Sequence, residues 1–217
     1  SKLEQQNKNV SGDIEIEFLR KNRSGKILIR DFAEGFSKEN FEKSVKNYGV
    51  RTSAHFKGYD VRGAWSRGLK EAIIALGEGI IHSINGDNYI KCKVWVDEKR
   101  VPRADDEHFK VTNKIRNKIG IKKGNGLLID IDILENRDLT IPQFDTLAYE
   151  LQNHYELRKI NLNPKRKIIL KSINNRGNII DEKFIKYVEP VHKVLIDKDE
   201  FYLKDYRQEK NTFDRIV

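Results

Sequence analysis

Two short stretches hold residue types whose spacing could do chemistry. In residues 61–73, VRGAWSRGLKEAI, Gly63 and Gly68 bracket Ser66 and Arg67 before an amphipathic pattern begins. Leu69, Ala72, Ile73, Leu76, Ile80 and Ile84 recur at helical spacing, so one helix is predicted from Leu69 to the stop at Asn85-Gly86-Asp87. A low-bulk loop that opens a helix leaves backbone N–H groups unpaired. With the helix dipole they form an anion site, most often for phosphate. Arg62, Arg67 and Lys70 add positive charge there. Glycines that merely relieve backbone strain explain the same residues, and both readings stay open. The second stretch is RDFAEGF, residues 30–36, with Asp31 at a strand end and Gly35 four residues later. A carboxylate beside such a turn can accept a hydrogen bond from an exocyclic amine while a flat ring approaches the backbone. An aspartate that only shapes the turn is the competing reading.

The elements that must position these stretches are legible in outline. Ile14, Ile16 and Phe18 alternate with Glu15 and Glu17, and after the turn at residues 22–25 a second strand carries Ile27 and Ile29. Together they predict a β-hairpin ending at Asp31. Ser37 caps a short helix with Phe41, Val45 and Tyr48 on its inner face. Residues 49–60 lack hydrophobic periodicity and, joined to 61–67, make a long loop of the kind used as a lid. Ile90, Cys92, Val94 and Val96 predict a strand. Residues 97–123 are poorly patterned, with one short helix through Phe109, Val111, Ile115 and Ile119. Gly124-Asn125-Gly126 introduces the strand LLIDIDI, whose Asp130 and Asp132 read as a solvated face. Pro142 marks the start of a helix with Phe144, Leu147, Ala148 and Leu151 inward. Basic residues from Arg158 to Lys171 flank the next strand, either as a phosphate-tracking patch or as a charged sheet edge.

Composition bounds the rest. The 217 residues are 38% hydrophobic and 35% charged, with a formal charge of +9 that favours polyanionic partners. No apolar run is long enough for a membrane helix, and no signal peptide is visible. The lone Cys92 excludes an internal disulfide and fits a reducing, cytoplasmic setting. The chain has no methionine, so Ser1 is expected to lie within a longer protein.

Taken in order, the motifs resemble the ATP-binding fold of the GHKL superfamily, which includes gyrase B, MutL, MORC and histidine-kinase ATPases. Asp31-Phe-Ala33-Glu-Gly35-Phe36 is similar to the family's D-x-G-x-G motif, whose aspartate holds the adenine amine. Residues 62–70, with Gly63, Ser66, Arg67, Gly68, Leu69 and Lys70, resemble its later glycine motif for the phosphates. Ser53 falls in a stretch like the serine-containing lid of MutL-like members. Three positions depart from the pattern. Ala33 and Ser66 replace glycines, and Leu127 stands where a threonine near the adenine is usual. The family's first motif, a helix pairing a water-activating glutamate with a magnesium-holding asparagine, has no counterpart. Glu4 and Asn7 lack its spacing.

The resemblance implies an α+β fold, a two-layer α/β sandwich of the Bergerat type. It implies a lead-in at 1–13, an ATP-binding domain at 14–171 with a lid at 49–67, and the start of a second β-rich unit at 172–217. It implies ATP and Mg2+ as ligands, a homodimer in the full-length protein, and an ATP-driven conformational machine. The charge of +9 and the basic 158–171 segment tilt the client toward nucleic acid, in prokaryotic DNA repair, topology or defence. A non-hydrolysing basic binding module is the alternative from another class. A histidine-kinase catalytic domain is a third, disfavoured by the residues beyond the 126–133 strand.

Overall fold

The computed structural model describes residues 13–46, 68–137, 139–158, 166–189, 201–204 and 213–216. Strand β1 (Ile14–Arg20) turns through Ser24 into antiparallel β2 (Gly25–Asp31), with Phe18 opposite Ile27 and Glu15 opposite Arg30. Helix α1 (Lys38–Phe41) begins where the Ser37 hydroxyl accepts from the Asn40 N–H, and a π-helical turn over Glu42–Lys46 continues it. Helix α2 (Gly68–Leu76) feeds directly into β3 (Gly77–Asn85), which pairs with β4 (Asn88–Val96). Strand β5 (Pro102–Lys110) lies outside β4. Helix α3 (Asn113–Ile119) is capped by Thr112 and stopped by Gly120 in the left-handed region, at φ 76°. Then come β6 (Gly126–Ile133), α4 (Phe144–Asn153), β7 (Ile168–Ile173) and β8 (Ile179–Ile185). Strands β9 (Phe201–Lys204) and β10 (Phe213–Ile216) form a separate pair.

Eight strands make one mixed sheet in the order β5-β4-β3-β6-β2-β1-β7-β8, parallel only between β1 and β7. One face carries the larger core. Phe41, Val45 and Ile73 from the helical layer pack against Ile81, Ile90, Cys92, Val94, Ile129 and Ile131. Farther along, Ala148 of α4 covers Phe18, Ile168, Leu170 and Ile185, and Ile27 touches both groups. This is the α+β layout expected from the resemblance, helices over a mixed, largely antiparallel sheet. One element goes beyond it. Ile119 of α3 packs with Leu28 and Leu128, which alternate with the inward Ile27, Ile29 and Ile129, so α3 lies on the opposite face.

Three expectations need correction. The helix from Leu69 ends at Leu76, and Ile80 and Ile84 belong to β3. A Cβ at Gly79 would come within 2.7 Å of the Asp130 carbonyl, and one at Gly77 would collide with that of Asp132. These glycines let β3 close on β6 and end the helix, and the β-branched run after them suits a strand. Within 97–123 a whole strand, β5, was missed, and Phe109 sits in it rather than in a helix. Its sequence PRADDEHFK shows no apolar alternation because it is an edge strand held by backbone pairing and ion pairs, such as Lys91 to Glu107 at 2.7 Å. The helix marked by Pro142 begins two residues later, at Phe144. Strands β7 and β8 carry the sheet on to Ile185.

On the α3 side, His82 and Tyr89 are both buried, with Nδ1 and Oη 2.8 Å apart and the rings stacked. Burial, aided by the charges of Lys118, Lys91 and Lys26, holds the His82 pKa down at about 4. The unfolded chain therefore takes up a proton near pH 6.5 that the folded chain refuses until about pH 4. Stability from this residue is complete above pH 6.5 and is lost as pH falls towards 4, by up to roughly 3 kcal/mol. Denaturant unfolding between pH 7 and 4 should show this loss. A double variant, His82→Phe with Tyr89→Phe, should lose less stability over the same range.

Candidate functional site

The candidate site is built at one end of the sheet, where β2 finishes against the start of β6. Asp31 is the last paired residue of β2, opposite Leu127, and Leu127 is also opposite Ser83 of β3. The chain then turns sharply. The Phe36 N–H donates to the Ser83 hydroxyl at 2.6 Å, and the Asn85 amide donates to the Glu34 carbonyl at 2.8 Å. Gly35 has φ 63°, and a Cβ there would run into the Ile84 carbonyl and lie 3.0 Å from that of Gly126. Only glycine suits that position, for conformation and for space alike. Ala33 has ordinary backbone geometry, which is why alanine can stand where the motif has glycine.

Asp31 is half-buried, and its Oδ1 accepts from the Ala33 N–H at 3.0 Å. Burial raises its pKa, and that hydrogen bond partly opposes the rise. Its other carboxylate oxygen has no protein donor among the described residues. Phe36 packs edge-on against Phe41, with ring centres 6.1 Å apart, and joins the same core as Leu69 at the first turn of α2. The two stretches singled out in the sequence thus share one hydrophobic cluster through Phe36 and Leu69.

Among the glycine-motif residues, Gly68, Leu69 and Lys70 begin α2. A Cβ at Gly68 meets nothing within 4 Å. Lys70 is buried, and its ammonium donates to the carbonyls of Val45 at 3.0 Å and Ser44 at 3.4 Å, near the end of the π-helical turn. Burial lowers its pKa. Its charge therefore braces the π-helical turn against α2. Ser53, Gly63, Ser66 and Arg67, with the whole expected lid, lie outside the described residues.

Ser83 and Asn85, which position the turn, were missed in the sequence. The signal was Ser83 itself, a fully buried hydroxyl within an apolar strand that must find a partner. A separate cleft of about 480 Å³ lies beside α2 and β5, lined among others by Lys46, Lys70, Ile74, Arg103 and Asp106. Its charges are matched internally, Lys46 with Asp106 at 2.9 Å and Arg103 with Asp97 at 2.8 Å. Cys92 is buried and its thiol pushed up to about 11, as suits a structural residue. Among the described residues no group of three His, Cys, Asp or Glu side chains could hold a metal ion. Nor is any helix there long and apolar enough to cross a membrane.

No family model matches the chain, and no curated protein matches it. Solved structures do. The Aquifex aeolicus MutL ATPase domain complexed with ADP is 13% identical, covering 82% of this chain and 57% of that one, with a TM-score of 0.45. The ATPase region of Saccharomyces cerevisiae topoisomerase II bound to ICRF-187 is 13% identical over 77% of this chain and 42% of that one, at 0.46. An N-terminal domain of a DNA repair protein is 14% identical over 80% and 47%, at 0.45. The chain thus spans about half the length of these solved chains.

Two glycine substitutions should separate fold from ligand. Gly35→Ala should destabilise the protein by about 1–3 kcal/mol in chemical denaturation. Gly68→Ala should leave stability unchanged or slightly raised, since its site is open. Loss of nucleotide binding in the second variant would then report contact with a ligand.

Proposed function

We propose that this chain is the nucleotide-binding part of a larger ATP-dependent conformational machine. The observation that carries the reading is the half-buried Asp31 carboxylate, with one oxygen held by its own turn and the other without a protein donor among the described residues. Such an oxygen fits the exocyclic amine of adenine. Ala33 and Gly35 keep the adjoining turn free of bulk, and Phe36 ties it to the helix that follows the glycine motif. In this reading Asp31, Ala33, Gly35 and Phe36 receive the base. Ser53, Gly63, Ser66, Arg67, Gly68 and Leu69 serve the phosphates, and Lys70 stiffens the first turn of the helix that would meet them.

The remainder of the proposal follows the resemblance. Residues 49–67 close over bound ATP, closure creates a dimer surface in the full-length protein, and hydrolysis resets it. A magnesium ion would arrive with the nucleotide and take its ligands from phosphates, water and residues outside those described. The setting is cytoplasmic and prokaryotic, with nucleic acid as client and a further β-rich unit transmitting the change. The net charge of +9 supports a polyanionic client. The basic run from 158 to 171 supports it less, because Lys171 is paired with Glu15 at 3.4 Å and Arg158 lies over the Tyr155 ring.

Calorimetric titration of ATP with magnesium tests the pocket directly. Asp31→Asn, which keeps the shape and removes the charge, should weaken binding roughly ten- to a hundredfold without lowering stability. Equal affinity in the two proteins would end the adenine assignment.

A further inference from the structure

We infer that the outer edge of β8 is a self-complementary surface that pairs with β8 of a second copy of this chain. Among the described residues the strand ends the sheet, bonded to β7 on one side only. It also gathers exposed apolar side chains, with Ile179, Ile180 and Phe184 at 53%, 61% and 58% exposure. Soluble proteins usually avoid a long apolar edge with an open backbone ladder. Asp181, Glu182 and Lys183 between them make no ion pair among the described residues.

The order of these residues chooses the occupant. When IIDEKFI is laid antiparallel on itself about Glu182, Ile180 faces the partner's Phe184 and Asp181 faces the partner's Lys183. Both matches occur twice across the two-fold axis, and Ile179 faces the partner's Ile185. Shifting the register by one residue places either Asp181 against the partner's Glu182, or Asp181 against the partner's Phe184. In the register centred on Glu182, every facing pair except Glu182 with its own copy joins apolar to apolar or acid to base. A bulge opposite Ser172/Ile173 leaves Ile180 unmatched on β7, so its side chain is available for the partner. Two Glu182 side chains meet on the axis, a like-charge cost that keeps the association weak and concentration-dependent. The result is an isologous dimer in which two eight-stranded sheets run on as one. This surface is independent of the nucleotide reading, since β8 lies at the far end of the sheet from α2.

Sedimentation of the full chain over a concentration series, without nucleotide, tests the inference. The wild type should move from monomer to dimer. Asp181→Lys and Lys183→Glu should each weaken dimerisation about tenfold or more, with unchanged thermal unfolding of the monomer. Mixing the two variants restores both acid–base pairs, so the mixture should dimerise about as well as the wild type. A wild type that stays monomeric at all concentrations, or single variants that dimerise normally, would overturn the inference. So would a mixture no better than either variant alone.

Discussion

The close backbone approach at Gly35 is the constraint on which the rest of the site depends. Its left-handed conformation turns the chain back so that the Glu34 and Phe36 backbones bond to β3. Three strands meet there: β2 delivers Asp31, β6 begins at Gly126, and β3 passes between β6 and the hairpin partner β4. A Cβ at Gly126 would sit 2.5 Å from the Asp31 carbonyl, so both glycines are needed for the strands to close on each other. The carboxylate is therefore fixed by the backbone approach at the two glycines together with the Ser83 and Asn85 side chains that hold the turn. A group built on rigid strands keeps its position when a neighbouring loop changes.

The other face of the sheet keeps β2 in register by electrostatics. Arg30, the neighbour of Asp31, reaches Glu17 at 2.7 Å and donates to the Ile119 carbonyl at the end of α3. One guanidinium thus joins the hairpin to the helix beneath it. Lys26 on the same face meets Asp130 at 2.8 Å and Asp132 at 3.4 Å. Slipping β2 by one residue would send both cations into the apolar layer, so the charged face excludes the wrong register while the isoleucines select the right one.

Much of this was legible because strand periodicity is strong where one face is charged and the other apolar. The hairpin, the 88–96 strand and LLIDIDI could all be read, and Asp130 and Asp132 do share the polar face with Lys26. The turn at Asp31–Phe36 could be read from its small residues. Residues 69–84 deceived because apolar positions three and four apart fit a helix as well as a helix followed by a strand. Only the cost of a Cβ at Gly77 and Gly79 decides between them, and that cost exists only once β6 is in place. Strand β5 was invisible because its partners across β4, not its own hydrophobicity, hold it. Nothing local in the sequence shows that the carbonyls of residues 44 and 45 will accept from Lys70.

The parallel pairing of β1 with β7 has a consequence for how the chain is made. Ile14 lies beside Ile168, 154 residues later by subtraction of their numbers. At roughly 5–20 residues per second, a ribosome would take about 8–30 s to deliver the second strand after the first. Through that interval the outer edge of β1, with Ile14 and Ile16, has no strand to join. Its alternating Glu15 and Glu17 stay solvated meanwhile and discourage pairing with other nascent chains. The glutamates of the first strand thus protect it before the fold exists, and then receive Arg30 and Lys171 once the sheet is complete.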